Sequence, residues 1–98
     1  MKTLLFRNSF AKDMKKVSKY PEFKKEILET YCKLLQQGEK LPAKAKNHAL
    51  SKNSPSHYKG FRDFHVAPDI CVIYQQTATE ITLYRIGKHN NLELTEDI

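Results

Sequence analysis

Phe61-Arg62-Asp63-Phe64-His65-Val66-Ala67-Pro68-Asp69-Ile70-Cys71-Val72-Ile73-Tyr74-Gln75 decides the fold. Phe61 to Val66 alternates with period two, the mark of a strand with two unlike faces. Ile70 to Gln75 is almost continuously apolar and suits a strand in the sheet interior. Ala67-Pro68-Asp69 is too short to be anything but a tight link, so the two strands pair antiparallel. Downstream, Gln76-Thr77-Ala78-Thr79 is another short link, and the β-branched and aromatic run Glu80 to Ile86 is a third strand. On the first of these strands Phe64 and Val66 read as core. That sets Asp63 and His65 on the opposite, accessible face.

Upstream, residues 39 to 60 carry neither period and hold Pro42, Asn47, Asn53, Pro55 and Gly60, so they read as a long loop containing His48. Loops longer than about 12–15 residues are uncommon in small domains unless they serve a function or are disordered. Before this loop, Phe23, Ile27, Leu28, Tyr31, Leu34 and Leu35 recur at helical spacing. Pro21 opens that helix, Glu22 suits its first turn and Gly38 ends it. A first helix carries Phe10, Met14 and Val17 on one face, with Asn8 or Ser9 as its cap. Lys12, Lys15, Lys16 and Lys19 fill its polar side. Thr3 to Arg7 is a short first strand. The expected architecture is α+β, in the order β-α-α-β-β-β: a twisted, mainly antiparallel four-stranded sheet packed against an N-terminal helical hairpin. Residues 1–98 form one domain without internal repeats, and the tail from Glu93 to Ile98 reads as frayed.

Composition bounds the function. The apolar fraction of 40% and ten aromatic residues support one modest core. No apolar run approaches the ~20 residues of a membrane span, and Met1 to Phe6 is too short for a signal-peptide core. Cys32 and Cys71 fall inside expected elements and read as reduced, buried thiols of a cytoplasmic protein. The 17 basic residues against 11 acidic ones give a net charge of +6. The imbalance is concentrated: residues 1 to 62 carry fifteen of those basic side chains and five of the acidic ones. Such a surface favours a polyanion or an acidic protein partner. Most of the cations are Lys, which attracts phosphate generally rather than reading bases. Lys12, Lys15, Lys16, Lys59, Arg62 and Lys88 are the expected RNA contacts. A solvated face is an equal reading for the helix lysines, and His57 reads as plain surface.

The chemistry-bearing residues lie around the strands. They are Asn47-His48-Ala49-Leu50, the block Lys59 to Asp69, the strand end Val72-Ile73-Tyr74, and Arg85-Ile86-Gly87-Lys88-His89. This order and spacing resembles the RelE/ParE toxin superfamily, and in particular its YafQ branch, across essentially the whole domain. The resemblance implies a type II toxin that cleaves messenger RNA in the ribosome's decoding site. It also implies a cognate RelB/DinJ-like antitoxin, with operator DNA bound only through the antitoxin complex. No cofactor or metal is implied. The functional residues it carries over are His48, His65, Asp69, Arg85 and His89. The chain departs from the family where a Phe usually follows the last His, since it reads His89-Asn90-Asn91-Leu92, and Ser51 to His57 lengthen the loop.

Side-chain chemistry agrees with this implication. RNA supplies its own nucleophile, the 2′-hydroxyl. Histidine can take or give a proton near neutrality, and arginine can clamp phosphate. The expected roles are His65, coupled with Asp69, on the base side and His89 as general acid, or the same pair with acid and base exchanged. Arg85 would stabilise the phosphorane, and His48 would position the substrate or share proton transfer. Three other readings compete: a metal site from His48, His65, Asp69 and His89, a gyrase poison on the same fold, and an inactive scaffold. The metal reading lacks a compact ligand spacing. Gyrase poisoning needs no acid–base pair.

Overall fold

The computed structural model describes residues 1–49 and 61–88. Its elements are β1 (Thr3–Phe6), α1 (Asn8–Val17), α2 (Lys25–Gln36), a 3-10 turn (Ala43–Ala45), β2 (His48–Ala49), β3 (Arg62–Ala67), β4 (Ile70–Gln76) and β5 (Glu80–Lys88). The strands form one sheet in the order β1-β5-β4-β3-β2. β1 runs parallel to β5, and every other pair is antiparallel. The α+β architecture and the helical hairpin agree with the sequence reading. The strand count does not: two residues of the expected loop, His48 and Ala49, add a fifth strand against β3.

One sheet face packs on the helices. Phe64, Val66, Val72, Tyr74, Ile81, Leu83 and Ile86 meet Phe10 and Val17 of α1 and Leu28, Tyr31 and Leu35 of α2. Tyr31 and Tyr74 each set an edge against Phe64, with ring centroids 5.9 and 5.5 Å apart. β4 lies in the middle, as its two apolar faces require.

Two helix starts differ from expectation. α2 begins at Lys25 rather than Pro21. The Phe23 N–H bonds the Tyr20 carbonyl, closing a turn over this stretch. Glu22, assigned to a first helical turn, instead reaches Lys88 at 3.5 Å. On α1 the cap residue is Arg7, without a side-chain cap bond. The Ser9 hydroxyl instead donates to the Tyr84 carbonyl at 2.6 Å. Gly38 ends α2 as expected, at φ 75°, where a Cβ is disfavoured.

α1 also completes the sheet edge. β1 stops at Phe6, opposite Leu83, leaving the rest of β5 without a strand neighbour on that side. Arg7 N–H bonds the Leu83 carbonyl at 3.0 Å, Ser9 takes the Tyr84 carbonyl, and Asp13 Oδ2 accepts from Ile86 N–H at 3.1 Å. Backbone groups that would otherwise be orphaned are thus satisfied by Arg7 and by two side chains of α1.

Candidate active site

The second sheet face carries the site, and strand register builds it. His48 pairs with Asp63, Asp63 with Ile73, and Ile73 with Arg85. Directly opposed residues share a face, so these four form one row across β2, β3, β4 and β5. The next row is His65, Cys71 and Gly87. Arg85 belongs to this face because of a bulge. Tyr74 pairs with Leu83 while Ile73 pairs with Arg85, so Tyr84 is the extra residue. Simple alternation from Ile81 and Leu83 would turn Arg85 into the core; the bulge reverses its direction.

Asp63 corrects the sequence reading. It lies on the expected face but is only 1% exposed, and Cys71 and Ile73 beside it are fully buried. This face is therefore not open over β3 and β4. A buried carboxylate is costly without nearby donors or positive charge, and the His48 ring approaches it, with Nδ1 3.1 Å from Asp63 Oδ1. The same Nδ1 lies 2.6 Å from the Lys46 carbonyl oxygen. Lys46 adopts a left-handed conformation, φ 51° and ψ 42°, at the end of the 3-10 turn. Both neighbours of Nδ1 are acceptors, so Nδ1 carries the hydrogen and Nε2 is left as the proton-accepting nitrogen of the neutral ring. His48 itself is exposed.

A second polar chain supports the segment before His48. Arg62 Nε donates to the Tyr74 hydroxyl at 3.3 Å, and that hydroxyl donates to Asn47 Oδ1 at 2.8 Å. Arg62, expected to touch RNA, is half-buried and tied inward. Tyr74 has no exposed surface.

Arg85 is held by Asp13, which accepts from Nε at 2.6 Å and from Nη2 at 3.2 Å. This paired geometry fixes the guanidinium plane. Asp13 was not singled out from the sequence, where it stands among lysines on the polar face of α1. Beside it lies a cleft of about 350 Å³ lined by Asp13, Lys16, Tyr20, Arg85 and Lys88. Lys12, Lys15 and Lys16 are exposed on the same helix. Lys88 is more compensated: its ammonium sits near Glu22 and near Asp69, at 3.6 Å, and over the Tyr20 ring at 4.7 Å. Glu22 raises its pKa, with Asp69 adding to the effect and partial desolvation opposing it. Asp69, expected beside His65, is thus ion-paired with Lys88; the carboxylate clustered with His65 is Asp63. Lys59, His57 and His89 lie outside the described residues.

Phe61 and Tyr84 pack edge to face at 4.6 Å, in keeping with a packing role. Burial pushes the Cys71 thiol from its ordinary 9.0 to about 12, with Asp63 and Asp69 adding to it. Burial, with a smaller contribution from Glu29, does the same to Cys32.

Two helices packed on a five-stranded, mostly antiparallel sheet are the architecture of the RelE-like toxins of type II toxin–antitoxin systems. Residues 2–94 match the family described as the bacterial toxin of type II toxin-antitoxin system, YafQ. The chain belongs to the YafQ family. It is 32% identical over 84 residues to the mRNA interferase toxin YafQ of Escherichia coli strain B / BL21-DE3, covering 86% of this chain and 87% of that one. YafQ in the E. coli DinJ–YafQ complex superposes with a TM-score of 0.78 at 32% identity, over 94% of this chain and 98% of that one. A copper-bound mutant toxin from Helicobacter pylori superposes with a TM-score of 0.82 at 30% identity, over 94% and 99% of the two chains. Among the described residues, no helix is long and apolar enough to cross a membrane.

Proposed function

We propose that this chain is an mRNA interferase: a toxin that cuts messenger RNA on the ribosome in the cytoplasm and is neutralised by a cognate antitoxin. One observation carries the reading: the row His48–Asp63–Ile73–Arg85, with an oriented imidazole at one end and an anchored guanidinium at the other. Three strand spacings separate its ends, about 14 Å between backbones. Asp63 and Ile73 between them are buried, so an RNA strand would meet the row at its two ends, exposed His48 and half-buried Arg85.

In this mechanism the 2′-oxygen attacks the adjacent phosphorus and the 5′-oxygen leaves. His65 takes the 2′-proton, assisted by a carboxylate, and His89 protonates the leaving oxygen. Arg85 bears the charge that gathers on the non-bridging oxygens. His48 presents Nε2 to the substrate and positions it or shares the proton transfer. Asp69 holds Lys88 at the rim of the site. The cations of α1 attract the RNA backbone. They also suit an acidic, disordered antitoxin segment, which would fold on binding and carry any contact with operator DNA.

Primer extension on messenger RNA after brief induction tests this, comparing wild type with a His65→Ala, His89→Ala double variant. Discrete in-frame cuts in translated regions, absent in the variant, are expected. Cuts that persist in the variant, or no cuts in wild type, would break the assignment.

A further inference from the structure

A second basic hollow lies on the helix side of the sheet, across from the row proposed for cleavage. It has a volume of about 300 Å³, and its lining includes Lys2, Glu39, Lys40, Asn47, Arg62 and Tyr74. Among the described residues, Lys2, Lys40 and Arg62 have no ion-pair partner. That sets them apart from Arg85, paired with Asp13, and from Lys88, paired with Glu22 and Asp69.

We propose that Lys2, Lys40 and Arg62 form a binding site for a phosphate of the RNA backbone, separate from the phosphate at which the chain is cut. That the hollow takes phosphate stands on geometry; that RNA supplies it rests on the proposed function.

Arg62 carries the recognition. Its Nε donates to the Tyr74 hydroxyl at 3.3 Å, and that hydroxyl donates to Asn47 Oδ1 at 2.8 Å. These bonds orient the guanidinium. Its two terminal nitrogens keep their N–H donors without an acceptor among the described residues. A half-buried guanidinium in that state has lost part of its hydration and gained no anion in return. Its unused edge matches a phosphate, which accepts paired N–H bonds.

The two lysines add charge from the rim. Lys2 is pinned through its backbone: its N–H bonds the Gln36 carbonyl at 2.9 Å, and its carbonyl accepts from Gln36 Nε2 at 3.0 Å. Lys40 is exposed just beyond α2, and its long stem can reach an anion in the hollow. Bare carbonyls at the end of α2 would repel that anion. Here the carbonyls of Lys33, Leu34, Leu35 and Gln36 accept from the N–H groups of Gln37, Glu39, Gly38 and Lys2 respectively. Glu39 opposes the three cations, but it is exposed and so screened by water. The ring in the lining, Tyr74, has no exposed surface on which a base could stack. The hollow therefore holds phosphate and reads no sequence.

Its position suits a strand already engaged by His48. Arg62 pairs with Ala49, next to the His48–Asp63 pair, on the opposite face of β3. β2 is the last strand on that side of the sheet. RNA leaving His48 turns around this edge and meets the hollow.

Binding is measured on the full chain with a short single-stranded RNA whose 2′-hydroxyls are methylated, so that it cannot be cut. One phosphate contact accounts for about 0.7 of the salt slope. Arg62→Gln should lose about that much, and so should a Lys2→Gln, Lys40→Gln double variant. Combining all three changes should still lose only about 0.7, because one phosphate is shared. Affinity at low salt should fall about tenfold in each, equally for RNAs of different sequence. Arg62→Gln also loses the bond to Tyr74. The double variant breaks no side-chain bond among the described residues and keeps the test independent of folding. Inorganic phosphate should compete with the RNA and shift the Arg62 Nε–H resonance. A wild-type slope in Arg62→Gln and in the double variant overturns the site. Losses that add up in the triple variant overturn the shared phosphate and make the cations a diffuse surface. A resonance shifted by phosphate, with RNA binding unchanged in the variants, overturns RNA as the source and makes the occupant a free phosphate. The expected slope losses in a protein that never cuts RNA leave the site standing and sink the interferase reading instead.

Discussion

His48 has its tautomer chosen for it: Nδ1 faces a peptide carbonyl and a buried carboxylate, so chemistry falls to Nε2. Its position depends in turn on Asn47, whose side-chain oxygen accepts from Tyr74, a residue inside the core. Tyr74→Phe keeps the ring packing and removes that donor. It also removes the hydroxyl that accepts from Arg62. The expected cost is about 1–2 kcal/mol, read as a lower urea midpoint at unchanged slope, with slower RNA cleavage as His48 loses its anchor. A midpoint within error of wild type would mean the relay carries nothing. At this scale the sequence disclosed identities better than environments. His48, His65 and Arg85 stood out by type and order. Asp63 was placed on the correct face by alternation, but neither its burial nor β2 beside it, a strand of two residues with no period to announce it, was legible.

Elements show where local rules yielded to tertiary ones. Pro21 followed by Glu22 has the look of a helix start, yet the chain turns there and Glu22 serves Lys88 on β5. Ser9 could cap α1, yet its hydroxyl satisfies the β5 edge. Both side chains serve β5 instead, Glu22 through the Lys88 ammonium and Ser9 through the Tyr84 carbonyl beyond the end of β1. The bulge at Tyr84 was faintly legible: core positions Ile81, Leu83 and Ile86 break the period of two between the second and third. Asp13 is the clearest test of the helix–edge coupling, because it accepts both from Ile86 N–H and from Arg85. Asp13→Ala leaves a backbone donor and a guanidinium without that acceptor. It should cost about 2–3 kcal/mol in urea unfolding. Asp13→Asn keeps an acceptor oxygen and should cost about half as much. Equal losses in the two variants would show that the carboxylate charge on Arg85, rather than a neutral acceptor oxygen, matters at this position.

The whole molecule is electrically lopsided, and this was readable from sequence alone because charge needs no fold to be counted. Which cations stay available does need the fold. Lys88 is compensated by Glu22 and Asp69, Arg62 is tied to Tyr74, and Arg85 is held by Asp13. Lys12, Lys15 and Lys16 remain exposed on α1, and Lys16 lines the cleft beside Arg85. If these three touch RNA, they do so through phosphate, releasing counterions as they bind. For single-stranded nucleic acid the logarithm of affinity falls with the logarithm of salt by about 0.7 per phosphate neutralised. A Lys12→Gln, Lys15→Gln, Lys16→Gln variant should therefore lose about 2 from the salt slope of binding to a single-stranded RNA. Affinity at low salt should drop by a similar factor for RNAs of different sequence, since lysine reads no bases. Changing three exposed helix positions to another good helix former should leave thermal stability nearly untouched. A slope equal to that of wild type would make the lysines a solvated face and move RNA attraction to the cations nearer β3 and β5. A loss confined to some sequences would instead mean that α1 reads bases, which a phosphate-tracking lysine face cannot do.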